Sequence, residues 1–208
     1  MKLRMASLTI LCLALAAIPA FADYNNGPIN GNIDAWTIDF GFIVSDTFVA
    51  DNSLVTGFMF GAREFPGDVI LSVDWSITSA ENGGQVLGSG TAKVTDQFIS
   101  INSFGYQIDL ITATGLHVPT VANTQYWLNL ENAVTASGDE AFWDENSGVG
   151  CSSPGCPSKA SENSVGTIPS EAFTVNTAGG GSTPEPDSFI LLGSGVLGLA
   201  GMLRRKMF

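Results

Sequence analysis

From Trp36 to Val44 the even positions Trp36, Ile38, Phe40, Phe42 and Val44 are apolar, while Thr37, Asp39 and Gly41 fall between them. A repeat of two sends alternate side chains to opposite faces of an extended chain, so the segment reads as a half-buried strand. The pattern recurs over 54–61 and most cleanly over 69–77, where Val69, Leu71, Val73, Trp75 and Ile77 alternate with Ile70, Ser72, Asp74 and Ser76. Phe65-Pro66-Gly67-Asp68 and Glu81-Asn82-Gly83-Gly84 supply the turns between them. Further strands are expected at 86–95, 97–101, 106–112, 125–130, 141–144 and 172–175, and helical periodicity is absent from this central body. Eight or nine short strands separated by Gly, Asn, Asp and Pro predict an all-β fold. The expected architecture is an antiparallel β-sandwich, jelly-roll-like, with a barrel as the alternative. Trp36, Phe40, Trp75, Leu128 and Phe173 should lead its core.

Two apolar segments bracket the body. Lys2 and Arg4 precede an apolar run from Ala6 to Ile18, and Ala20-Phe21-Ala22 supplies small residues where a leader is cut. This is the pattern of a secretory signal peptide, an N-terminal signal helix cleaved after Ala22. At the other end, residues 189–203 are uncharged and rich in Leu and Gly, and Arg204, Arg205 and Lys206 follow at once. A helix over that run covers only about 23 Å, against a bilayer core of about 30 Å. Local thinning and basic side chains reaching to the interface make up the difference. A single, marginal transmembrane helix is expected, with the basic C-terminus in the cytoplasm and everything upstream exported. The alternative, a buried terminal element, explains neither the glycine-rich stretch before it nor the abrupt basic cluster.

Pro184-Glu185-Pro186, the short Gly/Leu-rich span and the terminal Arg-Arg-Lys together resemble a PEP-CTERM sorting signal. The resemblance covers about the last two dozen residues. It implies an address read by exosortase, a multispanning membrane protease or transpeptidase that cleaves near the Pro-Glu-Pro element. By that resemblance Pro184, Glu185 and Pro186 are the recognised residues and Arg204, Arg205 and Lys206 the retention signal. Two prolines also keep the junction out of helix, as a backbone presented to a protease needs to be. The organisation expected is a signal peptide at 1–22, a sandwich at 23–176, a linker at 177–183, and the sorting signal with its membrane helix at 184–208. The destination is the inner membrane first, then the cell surface or the medium. Such tails resemble those of bacteria that make exopolysaccharide, which implies matrix association.

The chain has 208 residues and a net charge of −12, and five of its eight basic residues lie in the terminal segments. Arg63, Lys93 and Lys159 alone remain in the body, whose acidic surface disfavours nucleic acid as a partner. Removal of the leader discards Cys12 and leaves Cys151 and Cys156, expected to form a disulfide in an oxidising compartment.

Chemistry in the body is thinly signalled, and no catalytic residue is expected. The lone His117 has no Gly-x-Ser-x-Gly partner, so a hydrolase triad is disfavoured. Asp139, Glu140, Asp144 and Glu145 form an acidic cluster open to two readings, a carboxylate-dependent glycoside hydrolase or a calcium site on Asp139, Asp144 and Glu145. No other cofactor is expected. Trp127 and Trp143 are candidate glycan contacts, since Trp127 should face outward if Tyr126, Leu128 and Leu130 face inward. Core packing is the competing role for both.

Overall fold

The computed structural model describes residues 23–51, 54–146, 151 and 153–178. The signal peptide, most of the linker, and the sorting signal with its membrane segment lie outside those residues. Thirteen strands run through the body: β1 (Tyr24–Asn25), β2 (Ala35–Thr37), β3 (Ile43–Ala50), β4 (Leu54–Glu64), β5 (Ile70–Ala80), β6 (Gly83–Lys93), β7 (Thr95–Ile101), β8 (Gln107–Pro119), β9 (Thr124–Thr135), β10 (Phe142–Asp144), β11 (Ala160–Glu162), β12 (Gly166–Ile168) and β13 (Phe173–Ala178). There is no helix among the described residues.

All pairings are antiparallel and form two sheets. In the first, β8 lies along the whole of β4 with β7 outside it, while the other side of β4 takes β13 near its start and β10 near its end. The second has the order β12-β11-β3-β9-β5-β6. Phe48, Val73, Ile77, Leu128 and Leu130 of the second sheet share one core with Phe58, Phe60, Ile111, Trp143 and Phe173 of the first. The inner faces therefore pack as a β-sandwich. Ring contacts between Tyr24 and Phe48 and between Phe58 and Trp75 cross that interface. Leu128 and Phe173 are buried as expected, whereas Trp36 and Trp75 are only partly buried at the core margin.

Two corrections follow from local backbone geometry. The expected strand over 36–44 is two strands, β2 and β3, because the chain turns at Asp39, whose carbonyl accepts the Phe42 N–H at 2.8 Å. Phe40 and Gly41 sit there at φ 48° and 91°, left-handed values that end pleating, and the Phe40 side chain is exposed rather than in the core. In β5, Ile70, Val73 and Ile77 are buried while Leu71, like Val69 just before the strand, is exposed. The register shift at Ile70/Ser72 is the cause, since it sets one extra β5 residue against β9 and so reverses which parity of β5 faces inward, whereas the shift at Ser72/Asp74 puts its extra residue on β9. At the far end, Thr177 and Ala178 pair with Val55 and Leu54, so the sheet takes the first two residues expected in the linker.

Candidate functional site

Side chains with chemistry concentrate where β4 ends, and the pleat sorts them. Ala62 pairs with Trp143 and Arg63 with Phe142, so Arg63 and Glu64, adjacent in sequence, leave opposite faces of the sheet. On the outer side Arg63 Nε donates to Asp144 Oδ1 at 2.9 Å, with both side chains almost wholly buried. Its Nη2 donates to the Asp34 carbonyl at 2.6 Å. The other carboxylate oxygen of Asp144 accepts the backbone N–H of Asn30 and of Gly31 at 2.9 and 2.8 Å. Burial raises the Asp144 carboxyl above its ordinary range, opposed by the Gly31 N–H and the Arg63 charge. Glu145 accepts the Trp36 indole N–H at 2.7 Å.

Asp139 is exposed on a loop. The expected calcium set of Asp139, Asp144 and Glu145 is thus not brought together: Asp144 and Glu145 are engaged by Arg63, backbone amides and Trp36. Paired-carboxylate hydrolysis meets the same obstacle, because both oxygens of Asp144 are occupied by structural donors.

A different carboxylate set converges on the inner side. Oxygens of Glu64 (β4), Asp96 (β7) and Asp109 (β8) all lie within 4.8 Å of one another. Register puts them on three neighbouring strands, since Ala62 pairs with Asp109, and Asp109 with Phe98, two residues along from Asp96. Glu64 continues the parity of the buried Phe58, Phe60 and Ala62, and Asp109 that of Ile111 and Ala113, so the cluster closes one end of the core. Like charges this close repel by roughly 3–4 kcal/mol per pair at an effective dielectric constant near 20. Desolvation, then the charges of Asp96 and Asp109, push the Glu64 carboxyl up to about 9, and burial raises Asp96 and Asp109 as well. The sequence signal for this set was an acid at an inward position at the end of an apolar alternation.

A second buried polar network is structural. Asn26 Nδ2 donates to Ser158 Oγ, Ser170 Oγ and the Glu171 carbonyl at 2.6 to 2.7 Å, and Asp46 Oδ2 accepts the Glu171 N–H at 2.7 Å. These bonds fasten the segment before β13 across β1 and β3. Full burial pushes Asp46 up to about 7, and burial reinforced by the Asp46 charge raises Glu171 well above the usual carboxyl range.

Trp143 is completely buried, edge-on to Phe60 and Phe173, and its indole N–H donates to the Ala172 carbonyl at 3.1 Å. It therefore offers no face to a sugar, and its core role prevails. Trp127 is half-buried on the opposite face of β9 from Tyr126, Leu128 and Leu130, which are buried. His117 is exposed on β8. A groove of about 210 Å³ between Asn25, Ile29, Met59, Leu110 and Thr174 is lined by neither carboxylate nor histidine. Cys151 and Cys156 are joined as a disulfide.

Residues 182–206 match the PEP-CTERM protein-sorting motif. The matched stretch contains Pro184, Glu185, Pro186, Arg204, Arg205 and Lys206, all outside the described residues, as are Ala20 and Ala22. The motif marks an exported chain consistent with processing by exosortase, its C-terminus anchored in the membrane before processing and its body then at the surface or outside the cell. No helix among the described residues is long and apolar enough to cross a membrane, and the expected span at 189–203 lies beyond them. No curated protein matches the chain.

Proposed function

We propose that this chain is a non-catalytic surface or matrix protein: its tail holds it in the inner membrane until an exosortase-type protease processes it at Pro184-Glu185-Pro186. The observation that carries this reading is the sorting motif over 182–206, followed within it by an apolar run and a basic stop. The body's chemistry supports a non-catalytic role, because Asp144 and Glu145, two of the four acids expected to hydrolyse glycosides, are bound to Arg63, Trp36 and backbone amides. The lysine- and arginine-rich end stays in the cytoplasm under the positive-inside bias, which sets the orientation of the single span. Exopolysaccharide remains the polymer class such a protein would meet, with Trp127 the one expected glycan contact that retains solvent access.

Glu185→Ala tests the reading directly. It is expected to trap a heavier, uncleaved species in the membrane fraction, while the unaltered chain yields a lighter released form. Normal processing of Glu185→Ala would refute the assignment.

A further inference from the structure

We propose that Glu64, Asp96 and Asp109 form a binding site for one calcium ion at the end of the sandwich core. Their oxygens lie within 4.8 Å of one another, which is the span of a single shell whose metal–oxygen bonds are about 2.4 Å. The donor set is all carboxylate, suited to a hard cation and unsuited to zinc or copper, which favour nitrogen and sulfur.

An independent observation points to a missing partner. Glu64 is fully buried, and neither of its carboxylate oxygens has a hydrogen-bond donor; Asp109 Oδ1 is buried in the same condition. Buried polar groups are otherwise satisfied almost everywhere in folded proteins, and a buried carboxylate needs a cation, a donor or a proton. Arg63, the nearest base in sequence, is held on the other face by Asp144.

The remaining oxygens are oriented as ligand carboxylates usually are, by hydrogen bonds from outside the cluster. Gln107 Nε2 donates to Asp109 Oδ2 at 2.5 Å and to the Asp68 carbonyl at 3.1 Å. The Ile70 N–H donates to Asp96 Oδ2 at 2.7 Å. Asp96 is only partly buried and provides the solvent side through which an ion enters. An ion there ties the outermost strand β7 to β8 and β4, and through Ile70 to the start of β5 in the other sheet. The site belongs to the folded body and stands or falls independently of the tail.

The test uses the full-length protein in detergent micelles, stripped with chelator and dialysed. Calorimetric titration with calcium chloride should give about one ion per chain. Saturating calcium should raise the melting midpoint by about 5–10 °C. Glu64→Gln, which keeps shape but removes a ligand charge, should lose both signals while melting cooperatively, and Asp109→Asn should lower calcium affinity at least tenfold. Calcium that neither binds nor shifts the wild-type midpoint overturns the proposal, since three carboxyls sharing protons then account for the cluster. A calcium shift of full size in Glu64→Gln overturns the location, and an equal response to magnesium overturns the assignment to calcium. Should Glu64→Gln fail to fold, the wild-type titration alone decides.

Discussion

Arg63 and Glu64 are neighbours in sequence with opposite fates. On the outer face Asp144 finds the Arg63 guanidinium and two backbone amides, so a buried carboxylate is satisfied from three sides. On the inner face Glu64 meets only Asp96 and Asp109. Asp144 and Glu64 are both fully buried, and what differs is the supply of positive charge and donors. The contrast teaches that in a body with three basic residues, burial of acids is organised around very few counter-charges. Where none is available, protons or a metal must serve.

The largest test of this contrast is removal of the guanidinium. Arg63→Ala should cost about 3–5 kcal/mol in denaturant melts, because Asp144 then remains buried and ionised without its partner. A loss below about 1 kcal/mol would mean the amides of Asn30 and Gly31 suffice.

The pH profile is next in size. Asp46 and Glu171 have raised folded-state pKa values, so the folded protein binds protons more tightly than the unfolded chain at these sites. Their stabilising effect is fully present below about pH 4 and is lost as pH rises through about 7 and above, a change of roughly 3–4 kcal/mol for Asp46 alone. Asp68 acts in the opposite sense. Burial pushes it up, but hydrogen bonds from Ser137 and Val69 outweigh that and hold it below its ordinary value, so its contribution disappears on acidification. In chelator, the melting midpoint should be highest near pH 5 and fall toward pH 8, and Asp46→Asn should flatten that fall. A wild-type maximum above pH 7 would contradict the shifts.

Glu64→Gln sharpens the comparison from the other side. In chelator it should raise stability by about 1–3 kcal/mol, since the Glu64 carboxyl, pushed up to about 9, must bind a proton on folding at neutral pH and glutamine need not. Any loss of stability without calcium would place Glu64 with Asp144 as an already satisfied group. Smallest is Cys151→Ser. The bridge spans a sequence separation of 5, so the chain-entropy estimate is about 2 kcal/mol at most. A larger loss would mean the bridge acts on more than its own loop.

The legible parts of the molecule were those written contiguously. Tyr126-Trp127-Leu128-Asn129-Leu130 reads as a strand with the correct inward parity, and the sorting signal is a single run of residues. Pattern failed where one residue changes the phase, at the Phe40-Gly41 turn and at the β5 bulges, because a period of two carries no memory across an insertion. The three-residue strands β11 and β12 are too short to repeat anything. The carboxylate cluster stayed hidden for a topological reason, since Glu64, Asp96 and Asp109 meet only once β4, β8 and β7 are aligned side by side. Of the acids grouped in sequence, Asp144 and Glu145 are held by structural partners, while Asp139 and Glu140 stay exposed.

Release of an exported body from a temporary tail is read most plainly by intact-mass spectrometry of the protein recovered outside the cell. The expected species begins at Asp23, ends near Pro184 to Pro186, and lacks residues 189–208. A recovered protein that retains Arg204, Arg205 and Lys206 through Phe208 would contradict it.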